Sequence, residues 1–132
     1  MFDSNQPLQK ILDASTSAET GAPKLIQDYD HGVLTIDTEN SASGTVKFQI
    51  SMQQELPDFS AAQGVNNQWD YVEIVDLEDG QIIDGDSGVT LTGTDDNRHF
   101  EANISAARWV CATITAYTAG DWTVQVKPFR SA

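Results

Sequence analysis

An all-β fold is predicted, an antiparallel β-sandwich or jelly roll of about eight strands with an extended N-terminal arm. Two observations carry this: from Gly32 onward apolar residues recur with period two, and the runs are separated by Gly/Asp/Asn turn signals, with no convincing long helix anywhere. A small barrel is the alternative closure of such a strand set. The chain divides into an arm, residues 1–30, and a sandwich domain, residues 31–132; at 132 residues one domain plus an arm is the natural count.

The arm comes first. Leu8, Ile11 and Leu12 follow an i, i+3, i+4 spacing after Pro7, enough for one or two amphipathic helical turns, and "DASTSAETGAPK" then breaks the period. Ordering costs about 1–2 kcal/mol per residue, and so little apolar surface does not offset it. The arm is therefore expected to fray in isolation and to dock on a partner.

In the sandwich domain, Leu34 and Ile36 alternate with Thr35 and Asp37, and Val46, Phe48 and Ile50 alternate with Thr45, Lys47 and Gln49. "YVEIVDL", "QII" and "VTLTG" are shorter strands set off by "EDG", "DGDSG" and "GTDDN", and Phe100, Ala102 and Ile104 mark another. In residues 106–129, Val110, Ala112, Ile114 and Ala116 share one face with Trp122, Val124 and Val126, and Thr118-Ala119-Gly120-Asp121 reads as the turn of a closing hairpin. Residues 52–68 exceed an ordinary hairpin loop, which makes them either a crossover between sheets or a reach toward a partner.

Charge narrows the function classes. Twenty acidic residues against seven basic ones give a formal charge of −13, which repels phosphate backbones and anionic lipid, so neither nucleic acid nor membrane is an expected partner. Ten of the acids lie between residues 70 and 101, where Arg98 is the only Lys or Arg. No run approaches the roughly 18 apolar residues of a membrane span, and the N-terminus lacks the pattern of an export signal, so synthesis in the cytoplasm is expected.

The chemistry-bearing constellations are weak. Abundant carboxylates make a close pair inevitable, but glycoside hydrolysis also needs a sugar-sized cleft with raised carboxyl pKa values. "DLEDGQIIDGDSG" has the oxygen-rich look of a calcium loop, yet departs from the EF-hand order, and each Asp-Gly is what a tight turn demands. His31 and His99 have no partners at zinc-ligand spacing, and no G-x-S-x-G elbow occurs. Cys111, a single cysteine between Val110 and Ala112, reads as an inert strand thiol. No enzyme activity and no cofactor or metal is expected. The aromatic residues remain: Trp122 shares the buried parity, whereas Trp69 and Trp109 are candidate interface anchors.

The ordered set "GTVKFQIS", "QWDYVEIVDLEDG" and "FEANISAARWVCATITAYTAGDWTVQVKPF" resembles a recurring kind of small bacteriophage virion β-sandwich protein, over roughly residues 44–129. Proteins of that kind are often capsid decoration or cement proteins, commonly trimeric on the outer shell, and others are head-fibre, tail or baseplate components. The resemblance implies a structural, non-catalytic subunit on the capsid exterior, with the major capsid protein and sister copies in a homotrimer as partners. It carries over no catalytic residue. The residues expected to make the partner contacts are Phe2, Leu8, Ile11 and Leu12 in the arm, Phe59 in the long loop, and Trp69 and Trp109. A tail, baseplate or fibre module that binds host-surface glycan through exposed aromatics is the competing expectation.

Overall fold

A computed structural model describes residues 7–130, and in it the all-β expectation holds: nine strands and no helix among the described residues. They are β1 (Gln9–Ser15), β2 (Lys24–Leu25), β3 (His31–Ser51), β4 (Asp70–Tyr71), β5 (Ile74–Asp76), β6 (Ile82–Ile83), β7 (Val89–Thr94), β8 (Asn97–Asn103) and β9 (Trp109–Phe129). All belong to one antiparallel hydrogen-bonded network, with main path β1-β9-β3-β8-β5-β6; β2 joins β9, and β4 and β7 join β3.

The centre of the molecule is a ribbon of two 21-residue strands, β3 and β9, paired from His31↔Phe129 to Ser51↔Trp109. Here the sequence expectation needs correction. Residues 106–129 do not form a hairpin: Thr118–Asp121 is a bend inside β9, and both halves of β9 pair with β3 rather than with each other. Likewise the two runs around Leu34 and Val46 are one strand. Extra residues are inserted on β3 between Glu39 and Ser43 and on β9 opposite Ser43–Val46, and such bulges bend a ribbon without ending its ladder.

The bend has its own chemistry. Asn40 and Ser41 take left-handed backbone angles (φ 61° and 56°), Asn40 Nδ2 donates to Asp121 Oδ2, and Ser41 N donates to Asp95 Oδ1 at 2.7 Å. Opposite them Gly120 sits at φ 96°, where a Cβ would lie 2.4 Å from Ala42 Cα. Only glycine fits there. Carbonyls displaced from the ladder are met by side chains: Tyr117 Oη donates to Gly120 O at 2.9 Å and Trp122 Nε1 to Ala119 O at 3.2 Å.

Period-two burial along the ribbon builds the core. Leu34, Ile36, Val46 and Phe48 of β3 and Val110, Ala112, Ile114, Trp122, Val124 and Val126 of β9 are all buried, joined by Phe100 and Ala102 of β8. Ala116, expected on this face, is exposed, because the bulge beside it shifts the register.

The N-terminal segment is the second correction. Residues 9–15 form a strand rather than a helical turn, and the segment runs along the outer edge of β9: β1 pairs with residues 122–126 and β2 with Trp109 and Val110. Between them Glu19 O accepts from Ile114 N at 2.9 Å and Gly21 N donates to Ala112 O at 2.9 Å. Ile11 and Leu12 are adjacent in sequence yet both buried (4% and 3% exposed), because Ile11 is the extra residue of a bulge between Lys10 and Leu12. Ile26 is fully buried as well. Over residues 9–26 the arm is part of the sheet and its core, and the ladder with β9 provides the order that helical propensity did not.

The acidic segment resolves into turns. Asp79 Oδ1 accepts from Gln81 N and Asp84 Oδ1 from Asp86 N, the local carboxylate-to-backbone bonds that suit Asp to turns. Asp76, buried on β5, accepts from Glu78 N at 2.9 Å and forms an ion pair with Arg98 of β8. The one Lys or Arg of this acidic stretch is thus committed to a buried carboxylate. Among the described residues no group of three or more His, Cys, Asp or Glu is placed to hold a metal ion.

Candidate functional site

The long loop after β3 turns back on itself through a two-bond backbone bridge between Gly64 and Asn67, and side chains make most of its other bonds. Gln49, buried on β3, donates from Nε2 to Phe59 O at 2.9 Å, and Ser51 Oγ donates to Gln68 O, so the last residues of β3 grip both arms of the loop. Asn67 closes it. Its Oδ1 accepts from Asp58 N at 2.8 Å, and its Nδ2 donates to Asp58 O at 2.9 Å and Ala62 O at 3.1 Å. Asp58 Oδ1 accepts from the Ser60 hydroxyl and backbone N–H, and these two bonds hold the Asp58 carboxyl below its ordinary value.

Three of the residues expected to make partner contacts meet at this loop. The Phe59 and Trp69 rings are 6.3 Å apart, and Trp69 Nε1 donates to Ala61 O at 3.1 Å. Trp109 Nε1 donates to Gln53 O at 3.1 Å. Phe59 is buried beneath the loop, whereas Trp69 and Trp109 are half-buried, each indole fastening the loop by its N–H while part of the ring stays accessible. The other four do not join them. Leu8 immediately precedes β1 and is 50% exposed; Ile11 and Leu12 are buried core residues of this chain; Phe2 lies outside the described residues.

Beside Trp69 opens a cleft of about 390 Å³. It is lined by Ile50 and Ser51 at the end of β3 and by Trp69 and Tyr71, whose rings meet edge to face at 5.1 Å. Residues i and i+2 entering a strand face the same way, and β4, paired through Ile50↔Asp70 and Gln49↔Tyr71, anchors both aromatics. Lys47 Nζ lies 4.9 Å from the Tyr71 ring centre and buttresses it. Gln63, Gln68 and Asp70 are polar members of the lining, and Met52, 69% exposed, stands at the mouth. Sequence reasoning found Trp69 but missed Tyr71, Gln63 and Met52; the signal available was the Trp-x-Tyr spacing in "NNQWDY" after a loop too long for a simple connection.

Cys111 offers no chemistry here. It is fully buried with Sγ 3.3 Å from Gly21 O, and burial pushes its thiol up to about 12.

No protein-family model matches the chain, and no curated protein matches it. The fold is shared with the crystal structure of the SPBc2 prophage-derived protein YomS. The two align with a TM-score of 0.70 over 97% of this chain and 96% of that one, at 15% sequence identity. The likeness is one of architecture, end to end.

Proposed function

We propose that the chain is a bacteriophage virion protein, a decoration subunit that binds the exterior of the capsid, associates with sister copies as a homotrimer, and stabilises the assembled shell without catalysis. The observation that carries the reading is the end-to-end likeness to a prophage-derived protein of matching extent. The surface charge agrees, since a formal −13 keeps the subunit away from packaged nucleic acid and from anionic lipid. A subunit that binds only the assembled shell shifts the assembly equilibrium toward it.

The fold bears on where such a contact is proposed. Ile11 and Leu12 serve the core, so the proposed contact is assigned to residues 1–8 and to the outer edge of β1, which ends the sheet path and pairs with no second strand among the described residues, although Ala22 N donates to Ile11 O there at 2.8 Å. An unpaired edge offers a row of N–H and C=O groups to a chain that adds to it. Co-sedimentation with capsids of the phage that encodes the protein tests this, comparing the full chain with a deletion of residues 1–8. Removing residues 1–30 would strip β1, β2 and Ile26 and so test folding instead. The full chain pelleting at fixed stoichiometry while the short deletion stays in solution supports the reading; neither pelleting rejects the shell as partner.

A further inference from the structure

We infer that the cleft between Trp69, Tyr71 and the loop of residues 52–69 is a binding site for an uncharged carbohydrate. The inference does not rest on attachment to a shell and stands on the cleft alone.

Three of the seven exposed large apolar residues among those described lie in this one loop. Met52 and Leu56 are more than half exposed, and Val65, at 86%, is the most exposed large apolar residue of those described. Of these, Met52 lines the cleft itself, and an exposed apolar side chain at a pocket gives a ligand apolar area to cover. The loop bearing them is fixed by the Asn67, Gln63 and Gln53 side chains rather than left mobile: Gln63 Nε2 donates to Trp69 O at 2.7 Å and Asp70 Oδ1 at 3.2 Å, and Gln68 N donates to Gln53 Oε1 at 2.9 Å. A surface held in one shape before its ligand arrives loses less on binding.

The lining selects the ligand class. Half-buried Trp69 and Tyr71 hold apolar ring area in a fixed orientation, one face of Tyr71 being taken by Lys47, and the ring area left accessible suits the C–H face of a sugar ring. Around them stand groups that suit hydroxyls. The bonds of Gln63 and Gln68 run through Nε2, so both side-chain carbonyls keep their accepting capacity, and Asp70 adds a carboxylate. A volume near 390 Å³ lies in the range of small-ligand sites, roughly 300–1,000 Å³. Charge decides against acidic sugars and phosphates: Asp70 lines the cleft, no Lys or Arg is among its lining residues, and the chain as a whole is strongly negative.

The test is an NMR titration of the full chain with neutral malto-, cello-, chito- and galacto-oligosaccharides at millimolar concentration, following the indole N–H signals of the three tryptophans. At least one probe is expected to move the Trp69 signal saturably while the signal of buried Trp122 stays in place. Met52→Arg places a bulky head at the mouth without disturbing the core and should weaken that binding by about tenfold or more. Trp69→Ala should abolish it, with Met52→Arg serving as the informative variant if loss of Trp69 unfolds the loop. Absence of any saturable shift with every probe overturns the assignment, as does binding that Met52→Arg leaves unchanged. A Trp69 signal that responds to capsid shells and to none of the sugars also overturns it, in favour of a protein contact.

Discussion

The β3–β9 ribbon and the loop of residues 52–69 are held together by different means. In the ribbon, backbone pairs with backbone over two 21-residue strands, and alternate side chains are free to build the core. In the loop, side chains of Asn67, Gln63, Gln53, Gln49 and Ser51 do the work that ladder bonds do elsewhere. The ribbon's order is therefore spread over many equivalent bonds, and the loop's is concentrated in a few residues. A scaffold benefits from the first arrangement. A surface that can change its specificity by changing a few side chains benefits from the second.

The largest effect belongs to the ribbon's core. Trp122→Ala leaves a cavity in the core beside Gly44 and removes the bond to Ala119 O, so denaturant titration should show a loss of about 3–5 kcal/mol in global stability. Next comes the bend. Gly120→Ala combines φ 96° with a Cβ 2.4 Å from Ala42 Cα and should cost about 1–3 kcal/mol; a variant as stable as the parent would mean the bend is not the strained point of the ribbon.

In the loop the expected effects are smaller and local. Asn67→Ala removes three hydrogen bonds at a largely solvated site and should lower global stability by only about 1 kcal/mol. Limited proteolysis should nonetheless cut between residues 56 and 67 much faster than in the parent, and equal cutting rates would place the loop's order elsewhere. Smallest is the acid response of Asp58. Its folded pKa lies below the ordinary 3.8, so its support for the loop is fully present above that value and is lost as pH falls through the folded one. NMR signals of Ser60 and Ala61 should stay constant from neutral pH down to about pH 4 and shift only below it.

What could be read in advance follows the same division. Alternation at Leu34/Ile36, Val46/Phe48 and Val110 through Val126 declared the strands, because burial on one face of a ladder imposes period two. Thr118–Asp121 misled because a glycine of positive φ serves a bulge as well as a turn; the deciding feature, Asn40 and Ser41 on the opposite strand, lies about 80 residues away in sequence. Ile11 and Leu12 misled for a related reason: neighbouring apolar residues suggest a helix, and a bulge buries both in a strand. Of the candidate site, Trp69 and the unusual loop length were visible. The cleft was not, since it depends on Gln63 and Asn67 folding the loop back toward β4, which no local period encodes.

Hydrogen exchange of the full chain, free and bound to capsid shells, tests the proposal that this is a shell-binding subunit built on the β3–β9 ribbon. The account predicts added protection across residues 7–15 on binding, with the β3–β9 pairs unchanged. Shell binding that protects none of β1, or no binding at all, would contradict it.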